Sequence, residues 1–198
     1  GNNKMYKRAQ FMTALDNQQK ETWDADMNMT STFTCGYGYI KWRNVTKDNN
    51  NAPQGDAYVS IDYPLFRTAD AYLMAAEAIL RGGGGNRAEA LDYVNEIRER
   101  AYMSGKYAVD GVRSDVSGKI TDAELDLDFI LAERQRELAS ELVRRTDLVR
   151  FGKFTSGKNW EWKDGVRLGQ DVDAKYNMFP IPDSEITNNP DLKQNDGY

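Results

Sequence analysis

The chain has 198 residues, 26 basic and 31 acidic side chains and a formal charge of −5, which suits one hydrophobic core or a portion of a larger protein and argues against the concentrated basic face that nucleic acid needs. It contains no histidine, so histidine metal ligation, a histidine general base and a Ser-His-Asp triad are all excluded. Its single cysteine, Cys35, can close no internal disulfide and, lacking a histidine partner, reads as a small buried or loop residue; neither a metal nor a cofactor is expected.

Residues 1–60 read as an irregular, aromatic-rich segment. They open on polar Gly1, Asn2, Asn3 and Lys4 instead of a signal peptide, and no apolar run anywhere reaches the ~18 residues of a membrane helix. A short helical pattern falls at Phe11 to Leu15. Between Phe33 and Val45, Tyr37, Tyr39 and Lys41 share one phase and Ile40 and Trp42 the other, the alternation of one short strand or an extended loop. Asp48 to Asp56, with its asparagine run, Pro53 and Gly55, is a loop that lacks the ligand spacing and turn glycine of a calcium site.

Residues 61–198 are predicted to be mostly α-helical with extensive irregular loops. From Pro64 to Leu80, Leu65, Ala69, Tyr72, Leu73, Ala76 and Leu80 recur at helical spacing, and the alanines allow a neighbouring helix to approach closely. Gly82 to Gly85 end this helix, and Asn86 with Glu89 opens a second through Ala90, Leu91, Val94, Ile97 and Ala101. The pair resembles one tetratricopeptide-type hairpin without its full consensus, with Tyr72, Tyr93 and Tyr102 assigned to packing. Residues 103–119 read as an irregular insertion, followed by a capping box at Thr121 and Glu124. Asp128 is expected to cap one long helix running to about Phe151, with Gly152 as its stop. In the tail beyond it, Pro180, Pro182 and Pro190 are expected to exclude regular helix.

The long helix carries the densest chemistry. Glu133, Glu137 and Glu141 recur at four-residue steps, with Arg134, Arg144, Asp147 and Arg150 interleaved. Two such glutamates could stand at roughly the 5 to 9.5 Å separation of a glycosidase acid and base. However, a carboxylate with an arginine in reach is held ionised, the opposite of a proton donor. All seven residues are therefore assigned to structural ion pairs, and catalysis is set aside. Glu77, inside the alanine-rich helix, is expected to hold an arginine from the long helix.

Three blocks then carry a family resemblance: FRTADAYLMAAEAILRGG at Phe66 to Gly83, ERQRELASELVRRTDLVRFGK at Glu133 to Lys153, and FPIPDSEITNNPDLKQNDGY at Phe179 to Tyr198. They resemble the carboxy-terminal region of the SusD/RagB family of outer-membrane nutrient-binding lipoproteins. The last block is the most specific, through Pro180, Ile181, Pro182, Glu185, Asn189, Pro190, Gln194, Asn195, Gly197 and Tyr198. The chain departs from the family pattern at Leu142 and Val143, where Gly-His is usual, and at Arg145 and Thr146, where an aromatic pair is usual.

The resemblance implies a SusD-like helical fold and non-enzymatic binding of an oligosaccharide or other nutrient at the cell surface. It also implies a TonB-dependent outer-membrane transporter as partner, and a lipid anchor on a longer parent protein, outside this segment. Sugar binding needs flat aromatic faces beside polar groups. Trp23, Tyr37, Tyr39, Trp42, Trp160 and Trp162 lie in irregular segments where such residues concentrate, although packing is the commoner fate of each ring. Trp160 and Trp162 have the better claim, because in an extended strand their rings share a face. Two other accounts stay open: a scaffold or transporter-docking piece without its own ligand site, and, behind it, a carboxylate-based helical glycoside hydrolase.

Overall fold

The computed structural model describes residues 11–13, 37–39, 41, 62–107, 117–156 and 163–198. The chain divides into two compact units, Gly1–Leu65 and Phe66–Tyr198.

In the first unit β1 (Phe11–Thr13) pairs antiparallel with β2 (Tyr37–Tyr39), Phe11 opposite Tyr39 and Thr13 opposite Tyr37. A strand therefore stands where Phe11 to Leu15 suggested a helix. Aromatic and β-branched residues fit a paired, pleated backbone, and the partner strand decides between two weak local preferences.

The second unit is helical. α1 (Thr68–Leu80) and α2 (Arg87–Tyr102) form the hairpin, burying Ala69, Leu73 and Ala76 against Ala90, Val94 and Ile97. α1 begins later than the apolar pattern suggested: Arg67 is extended, and Leu65, counted in the apolar stripe, is exposed. Asn86 caps α2 by accepting the Glu89 backbone N–H at 2.8 Å. Tyr72 and Tyr93 stack at 5.2 Å across the hairpin, whereas Tyr102 is exposed under the Arg98 guanidinium.

α2 ends at Met103 in the left-handed conformation. Buried Asn95 then acts as a strand surrogate, donating to the Ile120 carbonyl at 3.1 Å and accepting the Ile120 N–H at 2.8 Å. The capping box of Thr121 and Glu124 shapes a 3₁₀ turn at Asp122–Glu124. Leu125 and Ile130 complete the core begun by the hairpin.

The predicted long helix is two helices. α3 (Leu127–Glu137) is capped by Asp126, not Asp128, and α4 (Arg144–Arg150) follows a break in which Ser140 and Leu142 have φ of 59° and 62°. Gly152, at φ 68°, closes α4. The terminal prolines bracket a helix instead of excluding one. α5 (Asp183–Asn188) starts after Pro182, where no backbone N–H is needed, and stops before Pro190.

Candidate functional site

The helix break decides where the charged residues go. Arg67, at the mouth of α1, reaches Glu141 at 2.7 Å and Glu137, and also donates to the Glu137 carbonyl at the end of α3. A carbonyl that a continuing helix would have satisfied is thus capped by a guanidinium. Glu137 shares its carboxylate with Arg100 as well, and Glu133 accepts from Arg98 at 2.7 Å and Arg136 at 2.6 Å. Buried Arg134 spans Asp70 at 2.7 Å and Asp147 at 2.8 Å. Arg150 joins Asp147 to Glu77, which also holds Arg81.

The titrations follow from these contacts. Burial works to raise the Glu77 pKa, but hydrogen bonds from Arg150 and Arg81 outweigh it and hold the carboxyl below its ordinary range. For Arg67, burial opposes the charge, and the bonds to Glu141 and Glu137 carry its pKa above the ordinary value. Arg144 moves the other way: burial lowers its pKa, Asp147 compensating in part. Arg144, assigned from the sequence to the ion-pair set, makes no ion pair among the described residues. The break turns Glu141 toward Arg67, and Arg144 instead donates to the Leu131 carbonyl at 3.0 Å, beside a small pocket of about 180 Å³ that includes Ser140 and Leu138.

A wider, open groove of about 340 Å³ lies where α4 meets the tail. Arg145 forms its base, the guanidinium 4.2 Å from the Phe179 ring and 4.7 Å from that of Phe154. Several links hold the walls. Val172 donates its N–H to the Thr155 carbonyl at 2.8 Å, and buried Lys163 donates to the Phe154 carbonyl at 2.8 Å. The 3₁₀ turn Ala174–Asn177 is capped by Asp173. Tyr198 hooks back, its hydroxyl donating to the Met178 carbonyl at 2.9 Å and its ring set edge-on to Tyr176 at 6.5 Å. Gln194 clasps Ile181 through two bonds of 2.8 Å, and Asn195 binds the Phe179 carbonyl.

Of the ring residues singled out from the sequence, Trp23, Trp42, Trp160 and Trp162 lie outside the described residues, and Tyr37 and Tyr39 are placed in β2 as backbone only. Among the described residues the rings of the groove are Phe154, Tyr176, Phe179 and Tyr198, none of them among the ring residues singled out from the sequence. The one available signal was that Phe179 and Tyr198 bound the most family-like block. Among the described residues no cluster could hold a metal ion, and no helix is long and apolar enough to cross a membrane.

The SusD family model matches residues 2–198. The chain is 41% identical over 169 residues to the starch-binding protein SusD of Bacteroides thetaiotaomicron, covering 85% of this chain and 27% of that protein. It is 32% identical over 138 residues to a SusD-like protein of Formosa agariphila, covering 67% of this chain and 23% of that one. A solved SusD superfamily structure from Bacteroides vulgatus superposes with a TM-score of 0.56 at 26% identity, over 82% of this chain and 32% of the other. The chain thus spans about a quarter of the length of the curated relatives it matches.

Proposed function

Because the chain belongs to the SusD family, we propose that it is part of a non-catalytic glycan-binding protein displayed at the outer cell surface. The observation that carries this reading is the family match across residues 2–198, joined by the likeness to a protein named for binding starch. In its finer form, the whole protein captures an oligosaccharide or polysaccharide beside a TonB-dependent outer-membrane transporter, held there by a lipid anchor on another part of the parent. Nucleic acid and cofactors have no part in it.

The chemistry of the helical unit supports binding over catalysis. A glycosidase needs one carboxylic acid kept protonated near neutral pH. Glu77 is pushed in the opposite direction, and Glu133 and Glu137 each accept from two arginines. Sugar binding asks for exposed aromatic faces beside polar groups, and the groove around Phe179 has both. A second reading, a scaffold or transporter-docking piece without its own ligand, draws support from Leu142 and Leu168, which stand exposed.

Isothermal titration of the chain and of its full-length parent against a panel of neutral and acidic polysaccharides tests the proposal, with chromatography of the glycan afterwards. Binding with no shortening of the glycan is the expected result. Shortened products, or no binding by either protein, would overturn it. Binding by the parent alone would make this segment scaffold.

A further inference from the structure

We propose that the groove at Phe179 is a subsite for a saccharide bearing a carboxylate, with Arg145 as the anion contact and the rings of Phe179 and Tyr176 as stacking faces. The inference rests on the glycan-binding reading and adds to it a place and a ligand class.

Charge is the first argument. Arg67, Arg134 and Arg150 each bind a carboxylate, whereas Arg144 donates to the Leu131 carbonyl. Arg145 and Lys175 are likewise bound to carbonyls. Arg145 gives Nη2 to the carbonyls of Tyr176 at 2.8 Å and Asn177 at 3.3 Å, and Lys175 gives Nζ to the Gly197 carbonyl at 3.0 Å. Neither has a carboxylate partner among the described residues. Neutral carbonyls offset only part of a cation, so Arg145 in the groove and Lys175 beside it keep most of their positive charge. Asp164, in the groove wall, accepts from Gln170 at 2.6 Å and keeps its charge, so the described lining carries Arg145 and Lys163 against one carboxylate.

Geometry is the second. With Nη2 spent on the two carbonyls, both two-donor edges of the Arg145 guanidinium are engaged, and Nε and Nη1, which have no protein acceptor among the described residues, each remain as a single charged donor for a carboxylate oxygen. The guanidinium is held over the Phe179 and Phe154 rings and by its two carbonyl bonds, so little side-chain freedom is lost when it takes a ligand. Phe179 remains 71% exposed although that guanidinium covers part of it, and Tyr176 is 48% exposed. Open aromatic faces suit the apolar side of a pyranose. The volume, about 340 Å³, is at the lower end of small-ligand sites and suits a subsite rather than a long cleft.

The test is titration of the 198-residue chain with tetragalacturonic acid, with the same tetrasaccharide after carboxyl reduction, and with tetraglutamate, at low and moderate salt. The acidic tetrasaccharide should bind, more weakly as salt rises. The reduced one should bind about tenfold less tightly or worse, and tetraglutamate should not bind. Arg145→Gln should weaken the acidic sugar by about tenfold, and Phe179→Ala, at an exposed site that leaves the fold intact by circular dichroism, should weaken it by severalfold. Arg145→Lys, keeping the charge without the guanidinium's hold on Phe179 and the two carbonyls, should fall between wild type and Arg145→Gln. Equal affinity for acidic and reduced sugars, indifference to both Arg145→Gln and Phe179→Ala, or tight binding of tetraglutamate would each overturn the proposal. Binding of neutral sugars alone would overturn it and leave the broader glycan reading standing; no binding of any saccharide by this chain would overturn it too, and the broader reading would then be decided by titration of the full-length parent.

Discussion

Gly118 and Glu77 show how single positions hold the helical unit together. A Cβ on Gly118 would lie 2.5 Å from the Tyr102 ring and 2.7 Å from the Arg98 carbonyl, inside any tolerated contact. Gly118→Ala should therefore cost about 1–3 kcal/mol by overpacking, read as a lower midpoint in urea with an unchanged slope. Glu77 makes a pH prediction. Its folded pKa lies below the ordinary 4.5, so over the acid range the unfolded chain binds more protons than the folded one, and stability rises with pH. The contribution is complete above the unfolded pKa and is lost as pH falls through the folded one. Melting curves from pH 7 to 3 should show a flatter acid limb for Glu77→Gln than for wild type. Parallel limbs would mean that Arg150 and Arg81 do not hold this carboxylate.

At the level of elements, the break between α3 and α4 separates what the sequence could reveal from what it could not. Asn86, the glycine run and the Thr121–Glu124 box are local signals, and each acts within a few residues of where it stands. The break is not local. Glutamates at 133, 137 and 141 keep helical spacing straight through it, while the residue that captures Glu141 is Arg67, 74 positions away. The groove was illegible for the same reason, since Arg145, Phe154, Tyr176, Phe179 and Tyr198 come from separate segments without periodicity. The Trp and Tyr residues singled out from the sequence rested on residue type and loop position, with alternation added for Trp160 and Trp162. The break is testable. Leu142 is 86% exposed at φ 62°, so Leu142→Gly should raise stability by about 1 kcal/mol by relieving a left-handed backbone. In one continuous helix the same change would lower stability by a similar amount, so the sign of the shift in melting temperature separates the two structures.

For the whole molecule, the division into Gly1–Leu65 and Phe66–Tyr198 has a consequence for how the chain comes apart. Leu65 and Phe66 are 80% and 89% exposed in a bend outside any helix or strand at the boundary, the condition a protease needs. The next residue, Arg67, is fastened to Glu137 and Glu141, so a cut before it leaves every ion pair described above in one piece. The hairpin core of Leu73, Val94 and Ile130 is likewise untouched. We propose that the second unit is an independently stable body. Brief digestion with chymotrypsin should cut early after Leu65 or Phe66 and leave a resistant product beginning at Phe66 or Arg67, identified by its mass and amino-terminal sequence. That product should keep the helical circular dichroism of the intact chain. A first resistant product that begins within α1 or α2 would place the boundary elsewhere, because the hairpin can be opened early only if its burial and the Arg67 anchor contribute little to stability.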